Sequence, residues 1–314
     1  MKKLFGLLLF SALFAATAQG WDDTGHKIIG EIAWQKMTPA ARDKAVAVLM
    51  GAPEDSDILM LLPSDSRPLA LRRQQMFYTM TYWADLMRSE QFPKRRKEFH
   101  HGTWHYLDTF WREANGRIEI VTEMKADDEN AVERLFKFDK TLSDAGESKT
   151  DKAIALAWIL HLAGDIHQPL HCSARVTAEE PKGDQGGNTF LLAPAAKPGD
   201  RPDNLHWYWD SVVTRNLKRV GDDECDSDYI PRLAAGIMKK HPQQRFAAGI
   251  KPGKYDQWQQ EGYLITTKEL YPASLKRNQA PPESYRKRAL AISEQQMALA
   301  GYRIADMLNR ILGS

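Results

Sequence analysis

The stretch LAWILHLAGDIHQPLH, from Leu156 to His171, constrains this chain more than any other part of its sequence. It opens with an apolar run of helical character. His161 and Asp165 follow four residues apart, which places an imidazole and a carboxylate on one face of a helix. Pro169 ends the regular helix shortly before a third ligand-type side chain, His171. A lone histidine in such a helix is more often a satisfied core residue, but ionisable groups rarely cluster there without a partner. The stretch therefore predicts a buried helix that carries a metal site.

The first twenty residues have the pattern of a secretory signal peptide. Lys2 and Lys3 precede an apolar stretch, and Ala18 and Gly20 supply the small residues of a cleavage site. The apolar stretch is short for a membrane span. We expect residues 1–20 to be removed and residues 21–314 to form one domain. The mature protein, beginning at Trp21, is expected to be periplasmic or secreted, without stable membrane association.

The composition favours one large globular domain without a strong overall charge. The chain has 314 residues, of which 43% are hydrophobic, enough to bury a sizeable core. It contains 43 Lys and Arg against 41 Asp and Glu, so loss of Lys2 and Lys3 leaves 41 of each. Any nucleic-acid partner must therefore be held by a local site. The basic run KRRKEFHH, residues 94–101, is predicted to be a solvated surface, with contact to a phosphate backbone as the alternative.

Helical periodicity dominates the rest of the chain. The predicted helices include residues 39–49, capped by Thr38, and residues 69–87, 129–142 and 284–312, while Thr150 or Asp151 is expected to cap the central helix. Asn115 and Gly116 predict a hairpin turn. Residues 173–203 are rich in glycine and proline and predict a long loop or small sheet. The prediction is a mainly α domain with a short β-hairpin and long loops.

Two cysteines in an exported chain predict one structural disulfide, between Cys172 and Cys225. Two unpaired thiols are the alternative. If formed, the bond would tie the segment after His171 to the region after Asp210.

Metal-ligand residue types recur outside the central stretch. His206 and Asp210 repeat its four-residue spacing, and a free Trp21 amine would be an unusual but sound zinc ligand. The candidate ligands are Trp21, His26, Asp85, His105, His161, Asp165, His171, His206 and Asp210. Nitrogen and oxygen donors without cysteine suit catalytic zinc better than a closed structural site. Nine such residues are too many for one tetrahedral ion.

Six motifs in order resemble those of the zinc-dependent S1/P1 nuclease family, in the phospholipase C/P1 nuclease superfamily. They are WDDTGH, YWAD, HYLD, HLAGDIHQPLH, GDQGGN and NLHWYWD. The resemblance implies a mainly helical domain with three Zn2+ ions at the bottom of a cleft. It assigns Asp85, His105 and His161 to one ion and the Trp21 amine and carbonyl with His26 to a second. Asp165 would bridge these two, and the third ion would take His171, His206 and Asp210.

The resemblance also implies an activity. The expected protein is a monomeric zinc-dependent endonuclease that binds single-stranded DNA, RNA and nucleotides and leaves 5′-phosphate products; 3′-nucleotidase activity is a further expectation. Asp165, Asp108 and Arg88 are the implied catalytic residues. Tyr106, Asn188 and Arg88 are the implied substrate contacts, with Tyr106 stacking on a base. Fungal members usually carry lysine where this chain has Arg88, and often phenylalanine where it has Tyr106.

Two alternative functions are compatible with part of this pattern. A zinc-dependent phospholipase C would need an apolar cleft for choline, and relatives of that kind carry glutamate where this chain has Asp210. A non-enzymatic periplasmic zinc-binding protein would explain the ligands but not the aromatic and amide groups beside them. Parallel assays of single-stranded DNA and phosphatidylcholine hydrolysis would distinguish these readings.

Overall fold

Helices make up most of the chain, which a computed structural model describes over residues 20–193 and 202–313. The helices are α1 Asp23–Lys36, α2 Pro39–Leu49, α3 Leu69–Met80, α4 Trp83–Leu86, α5 Pro93–Phe99, α6 Ala131–Ser143, α7 Lys149–Asp165, α8 Leu205–Asp210, α9 Val212–Asn216, α10 Asp226–Lys240, α11 Tyr255–Ile265 and α12 Glu283–Leu312. The strands are β1 Thr109–Ala114, β2 Arg117–Ile120, β3 Ser173–Arg175, β4 Leu191–Ala193 and β5 Asp203–Asn204. The predicted mainly α class, with a short hairpin and long loops, is confirmed.

The central helix α7 is apolar all round and is correspondingly buried from Ala155 to its end. It packs against α6 and α2, and more lightly against α1 and α12. The start of α1 meets the end of α7, where a Cβ added to Gly164 would lie only 3.1 Å from His26 Nδ1. Because Gly164 has no side chain, the His26 ring can lie directly against the helix that carries Asp165.

Local signals predicted some helix ends correctly and others wrongly. Thr38 caps α2 as expected, but the cap of α7 is Ser148, whose Oγ accepts from Asp151 N at 3.0 Å. The single helix predicted over residues 69–87 is wrong, because α3 ends at Met80 and α4 begins at Trp83. At this break Thr81 Oγ1 donates to His26 O at 2.7 Å, a contact between elements that no local pattern reveals.

Two small sheets flank the helices. The first has the order β2-β1-β3, and its hairpin turns at Asn115 and Gly116, both with positive φ, as predicted. Strands β1 and β3 pair in parallel from Thr109 opposite Ser173. Together with the hydrogen bond from Leu107 N to His171 O at 2.9 Å, this pairing brings the HYLD and HQPLH motifs side by side. Strands β4 and β5 form the second sheet.

The predicted disulfide is wrong, because both cysteines are free thiols. Cys172 is fully buried under α11, where its Sγ donates to Ile166 O at 3.2 Å. Cys225 is exposed just before α10, with its Sγ 2.9 Å from Ser227 Oγ. The two side chains lie in separate environments, and a bond would require one of them to leave its contacts.

The predicted signal peptide lies outside the described residues except for Gly20. Within residues 20–193 and 202–313, no helix is both long enough and apolar enough to cross a membrane.

Candidate metal centre

Asp165, the last residue of α7, lies among three imidazoles. Its carboxylate is 3.2 Å from His26 Nε2, 3.0 Å from His105 Nδ1 and 3.0 Å from His161 Nε2. Asp85 of α4 joins this set, with its Oδ1 3.8 Å from His161 Nε2. We call these five residues the Asp165 group. All five are buried, although they come from four separate parts of the chain.

A second set, the Asp210 group, consists of His171, His206 and Asp210. The Nε2 atoms of His171 and His206 lie 3.2 Å apart, and His206 Nε2 is 3.6 Å from Asp210 Oδ2. The other Asp210 oxygen accepts from Gln168 Nε2 at 2.7 Å. Asp22, next to the start of α1, donates its backbone N–H to Asp210 O at 3.0 Å. This bond ties the segment after Trp21 to the Asp210 group.

Three histidines have their ring orientation set by backbone carbonyls. His161 Nδ1 donates to Thr81 O at 2.7 Å, His171 Nδ1 to His105 O at 2.6 Å, and His206 Nδ1 to Gly186 O at 2.7 Å. A carbonyl oxygen can only accept, so each Nδ1 carries the proton. A neutral ring then presents an Nε2 lone pair to its group, which is the arrangement found in metal-binding histidines.

The residues present fit metal ions. Several buried polar atoms in the two groups make no hydrogen bond with any residue that the structure describes, including both His26 nitrogens, Asp165 Oδ1 and Asp210 Oδ2. Buried polar atoms without a partner are costly, and a cation would satisfy nitrogen lone pairs and carboxylates together. Three sets of side chains have ligand atoms close enough for one ion each: His26, His161 and Asp165; Asp85, His105 and His161; and His171, His206 and Asp210. Nitrogen and oxygen donors without thiolate suit zinc.

The two carboxylates at the centres of these groups differ electrostatically. Burial alone would raise the pKa of Asp165. When His161 is protonated, which its own raised pKa favours, its charge and the hydrogen bonds from His105 and His161 outweigh burial and hold the pKa of Asp165 well below its usual range. Burial raises the pKa of Asp210 well above its usual range, opposed by the Gln168 hydrogen bond. Burial, with Arg88 nearby, lowers the pKa of His105 to about 3, which keeps this ring in the neutral form that binds metal.

Trp21 lies beside the Asp165 group. Its indole is fully buried and donates Nε1–H to Gly164 O at 3.1 Å. A Cβ added to Gly20 would overlap Asp165 Oδ1 and lie 3.1 Å from His26 Nε2. The backbone just before Trp21 therefore passes directly against these two side chains.

Arg88 is held at the edge of the Asp165 group. Its Nη2 is 2.6 Å from Asp85 Oδ1 and 3.2 Å from His105 Nδ1. Its Nε and Nη1 are buried and make no hydrogen bond within the described residues. These two N–H groups are available to an anion.

The predicted substrate-binding residues differ in how accessible their side chains are. Tyr106 and Asp108 are partly buried after His105, and burial, with Asp184 and Asp127, raises the pKa of Asp108 to about 7. Asn188 is buried, and its amide is engaged inside its loop, donating to Gln185 O at 2.9 Å. In this arrangement Tyr106 is more accessible to a base than Asn188.

Sequence reasoning missed the residues that support the two groups. Gln168 holds Asp210, and its place inside HQPLH was the available signal. Buried Arg303 of α12 donates from Nη1 to His167 Nε2 at 2.8 Å and pairs with Glu261 at 2.7 Å. His167 Nδ1 in turn donates to Ala163 O at 2.7 Å, which braces the end of α7. Nothing in the periodicity of α12 distinguished Arg303 from an exposed arginine.

Comparison with known proteins gives a consistent result. Endonuclease 2 of Arabidopsis thaliana is 25% identical over 305 residues, covering 96% of this chain and 94% of the relative. Endonuclease 4 of the same plant is 26% identical over 237 residues, covering 68% of this chain and 74% of the relative. Nuclease P1 of Penicillium citrinum is 24% identical over 197 residues, covering 59% and 67%. The S1/P1 Nuclease family profile matches residues 21–313, and the chain therefore belongs to the S1/P1 nuclease family, whose members hydrolyse phosphodiester bonds.

Proposed function

We propose that this nuclease is an exported, monomeric, zinc-dependent endonuclease that hydrolyses single-stranded DNA and RNA to 5′-phosphate products, with 3′-nucleotidase activity. The observation that carries this proposal is the pair of buried groups with imidazole nitrogens and carboxylate oxygens turned inward. Such an assembly is costly to bury without cations, and hydrolysis of a phosphodiester anion is a reaction that cations assist.

Three zinc ions would be held by nine residues. Asp85, His105 and His161 would hold one, and the amine and carbonyl of Trp21 with His26 would hold a second. Asp165 would serve both, and His171, His206 and Asp210 would hold the third. Bound there, zinc supplies Lewis-acid activation of water and compensation of phosphate charge.

The side chains around the ions would orient the substrate and neutralise its charge. The unpartnered Nε and Nη1 nitrogens of Arg88 can each donate to a phosphate oxygen, and the guanidinium charge would help to neutralise the phosphate. Asp165 would keep the ligands of two ions in fixed positions. Asp108, with a pKa raised to about 7, suits a group that takes up and releases a proton near neutral pH.

A preference for single strands would follow from base stacking. Tyr106 is partly exposed next to His105, so a base adjoining the reacting phosphate could lie on its ring. A base inside a duplex must first be unstacked and unpaired, which costs a few kcal/mol. Asn188 would contact the base after a rearrangement of its loop amide, because that amide is now engaged with Gln185.

The test is hydrolysis by purified protein beginning at Trp21. We expect single-stranded DNA and RNA to be degraded, duplex DNA to react slowly, and chelation to abolish activity until zinc is restored. Phosphatidylcholine is the matched substrate for the phospholipase reading. Hydrolysis of the lipid without the nucleic acid, or full activity after verified removal of metal, would contradict the proposal.

A further inference from the structure

The segment between Arg88 and His105 is closed at its base beside the Asp165 group. Arg88 Nη2 lies 3.2 Å from His105 Nδ1, so the two ends of the segment meet. Helix α5 occupies its middle and is anchored by Phe99, which is buried and packs edge-on against Trp83 with ring centroids 5.8 Å apart. The basic run therefore lies in a segment whose two ends meet beside the Asp165 group.

The cations of α5 are only partly matched by acidic groups. Arg95 forms an ion pair with Asp57. Arg96 lies 3.8 Å from Glu90, but both side chains are largely exposed, and such pairs contribute little. Within the described residues Lys97, like Lys94, forms no ion pair. Positive charge on this face of α5 therefore remains available.

A groove of about 450 Å³ lies on that face. Its lining residues are Glu90, Pro93, Arg96, Lys97 and His100. The Nδ1 atom of His100 is buried and makes no hydrogen bond within the described residues. Burial lowers the pKa of His100, and the Arg88 and Arg96 charges lower it further, so both guanidiniums act on this ring.

The other side of α5 has the opposite charge. A second groove, of about 460 Å³, carries the carboxylates Asp55, Glu98, Glu147 and Asp151 and one cation, Lys137. A polyanion leaving the metal centre would be repelled there and attracted to the first groove. Because the mature chain has equal numbers of acidic and basic residues, this local asymmetry is the kind of feature that can direct a strand.

We propose that the groove formed by Arg96, Lys97 and His100 is a second phosphate-binding subsite, which holds the backbone of a single-stranded nucleic acid beyond the phosphodiester being hydrolysed. This inference rests on the proposed function, because it takes the reacting phosphate to lie at the Asp165 group. Contacts to backbone phosphates carry no base information, so the subsite adds affinity for long strands without base preference.

The test compares substrates of different length. The variant carries Arg96→Glu and Lys97→Glu, both exposed positions where glutamate is a good helix former. The matched control carries Lys239→Glu and Lys251→Glu, which makes the same charge change at exposed lysines elsewhere. Substrates are a thymidine dinucleotide and a single strand of about twenty thymidylates. We expect KM for the long strand to rise roughly tenfold at low salt in the α5 variant alone, with dinucleotide hydrolysis unchanged.

Salt dependence gives a second readout. Each lost phosphate contact lowers the slope of log affinity against log salt by about 0.7 for a single strand, so two lost contacts lower it by about 1.4. This slope is measured by binding of a hydrolysis-resistant phosphorothioate strand to the zinc-loaded protein. The neutral pair Arg96→Gln and Lys97→Gln should give the same change in slope, which separates lost contacts from new repulsion.

Three results would overturn the subsite. The first is an equal loss of hydrolysis on the dinucleotide and on the long strand in the α5 variant. The second is an unchanged KM for the long strand together with an unchanged salt slope. The third is an equal rise in the long-strand KM in the control that carries Lys239→Glu and Lys251→Glu. Failure of the proposed function looks different, because the unaltered protein would then hydrolyse neither substrate. Binding of the phosphorothioate strand would still report whether α5 contacts it.

Discussion

The Asp165 and Asp210 groups contain the same residue types, histidine and aspartate, but differ in how the negative charge of the aspartate is compensated. Asp165 is surrounded by three imidazoles, and the pKa of this carboxyl is held well below its usual range against the effect of burial. The Asp210 carboxylate accepts a hydrogen bond from the Gln168 amide, and burial holds the pKa of this carboxyl well above its usual range. The protein itself stabilises the negative charge of Asp165 but not that of Asp210. The Asp165 group is thus preorganised, whereas under the proposed function the Asp210 group would depend more on a bound ion.

Replacement of the two carboxylates should give the largest effect. If Asp165 serves two ions and Asp210 one, Asp165→Asn should lower kcat/KM for single-stranded DNA about a thousandfold, roughly 4 kcal/mol, and Asp210→Asn considerably less. His167→Gln, which changes a buried histidine that braces α7 outside both groups, is the matched control and should lose least. Similar losses in folded Asp165 and Asp210 variants would contradict the bridging assignment.

The N-terminus offers a way to disable the Asp165 group alone. One extra residue before Trp21 converts its amine to an amide, a poor ligand at neutral pH. We expect the extended protein to lose one zinc ion and about a hundredfold in turnover, while the Asp210 group keeps its ion. The extended protein is compared with the protein that begins at Trp21. The N-terminus of each is confirmed by mass spectrometry, and zinc content and hydrolysis rate are measured for both. Equal zinc content with equal rates would remove Trp21 from the ligand set.

Gln168→Leu should weaken the Asp210 group alone. Loss of the 2.7 Å hydrogen bond to Asp210 frees this carboxylate to rotate, and such supporting contacts typically contribute 10- to 100-fold in metal affinity. Gln35→Leu is the control, because Gln35 makes a similar bond to Glu31, also 2.7 Å, outside both groups. Chelator titration should show one zinc ion released earlier in Gln168→Leu, and unchanged release would contradict the role of Gln168.

The smallest effect is expected on the free energy of unfolding of the metal-free protein, where the Asp165 and Asp210 carboxylates should contribute with opposite signs. A lowered pKa makes ionised Asp165 stabilising above its unfolded pKa, and this stability is lost only as pH falls through the folded pKa. A raised pKa makes ionised Asp210 destabilising at neutral pH, and that cost disappears as pH falls. At pH 7 with chelator, Asp165→Asn should lower the free energy of unfolding by about 2 kcal/mol, and Asp210→Asn should leave it equal or higher. Denaturant unfolding tests this contrast, and equal losses would refute it.

The sequence predicted the parts of the site that lie close together along the chain. The four-residue spacings of His161 with Asp165 and of His206 with Asp210 put ligand atoms on one helix face, and these pairs come together as expected. The placement of Asp85 and His105 rested on resemblance, because it depends on packing between distant elements. The same limit explains the errors: the break at Thr81 is accompanied by contacts with His26 and His161, and the cysteine pairing failed because Cys172 is buried under α11.

The backbone contacts that orient the histidines could not be predicted from the sequence for a related reason. Carbonyl acceptors such as Thr81 O and Gly186 O are backbone groups that any residue provides, so no residue type signals them. The charge difference between the two sides of α5 likewise emerges only when residues from several elements line the grooves.

A zinc count on active protein tests the three-ion assignment most directly. Protein beginning at Trp21 is purified, its metal content is measured by mass spectrometry under native conditions, and hydrolysis of single-stranded DNA is followed as zinc is removed and restored. We predict three zinc ions per chain, no hydrolysis after their removal, and recovery on restoration. A chain that hydrolyses single-stranded DNA at full rate with no bound metal would contradict a zinc-dependent mechanism.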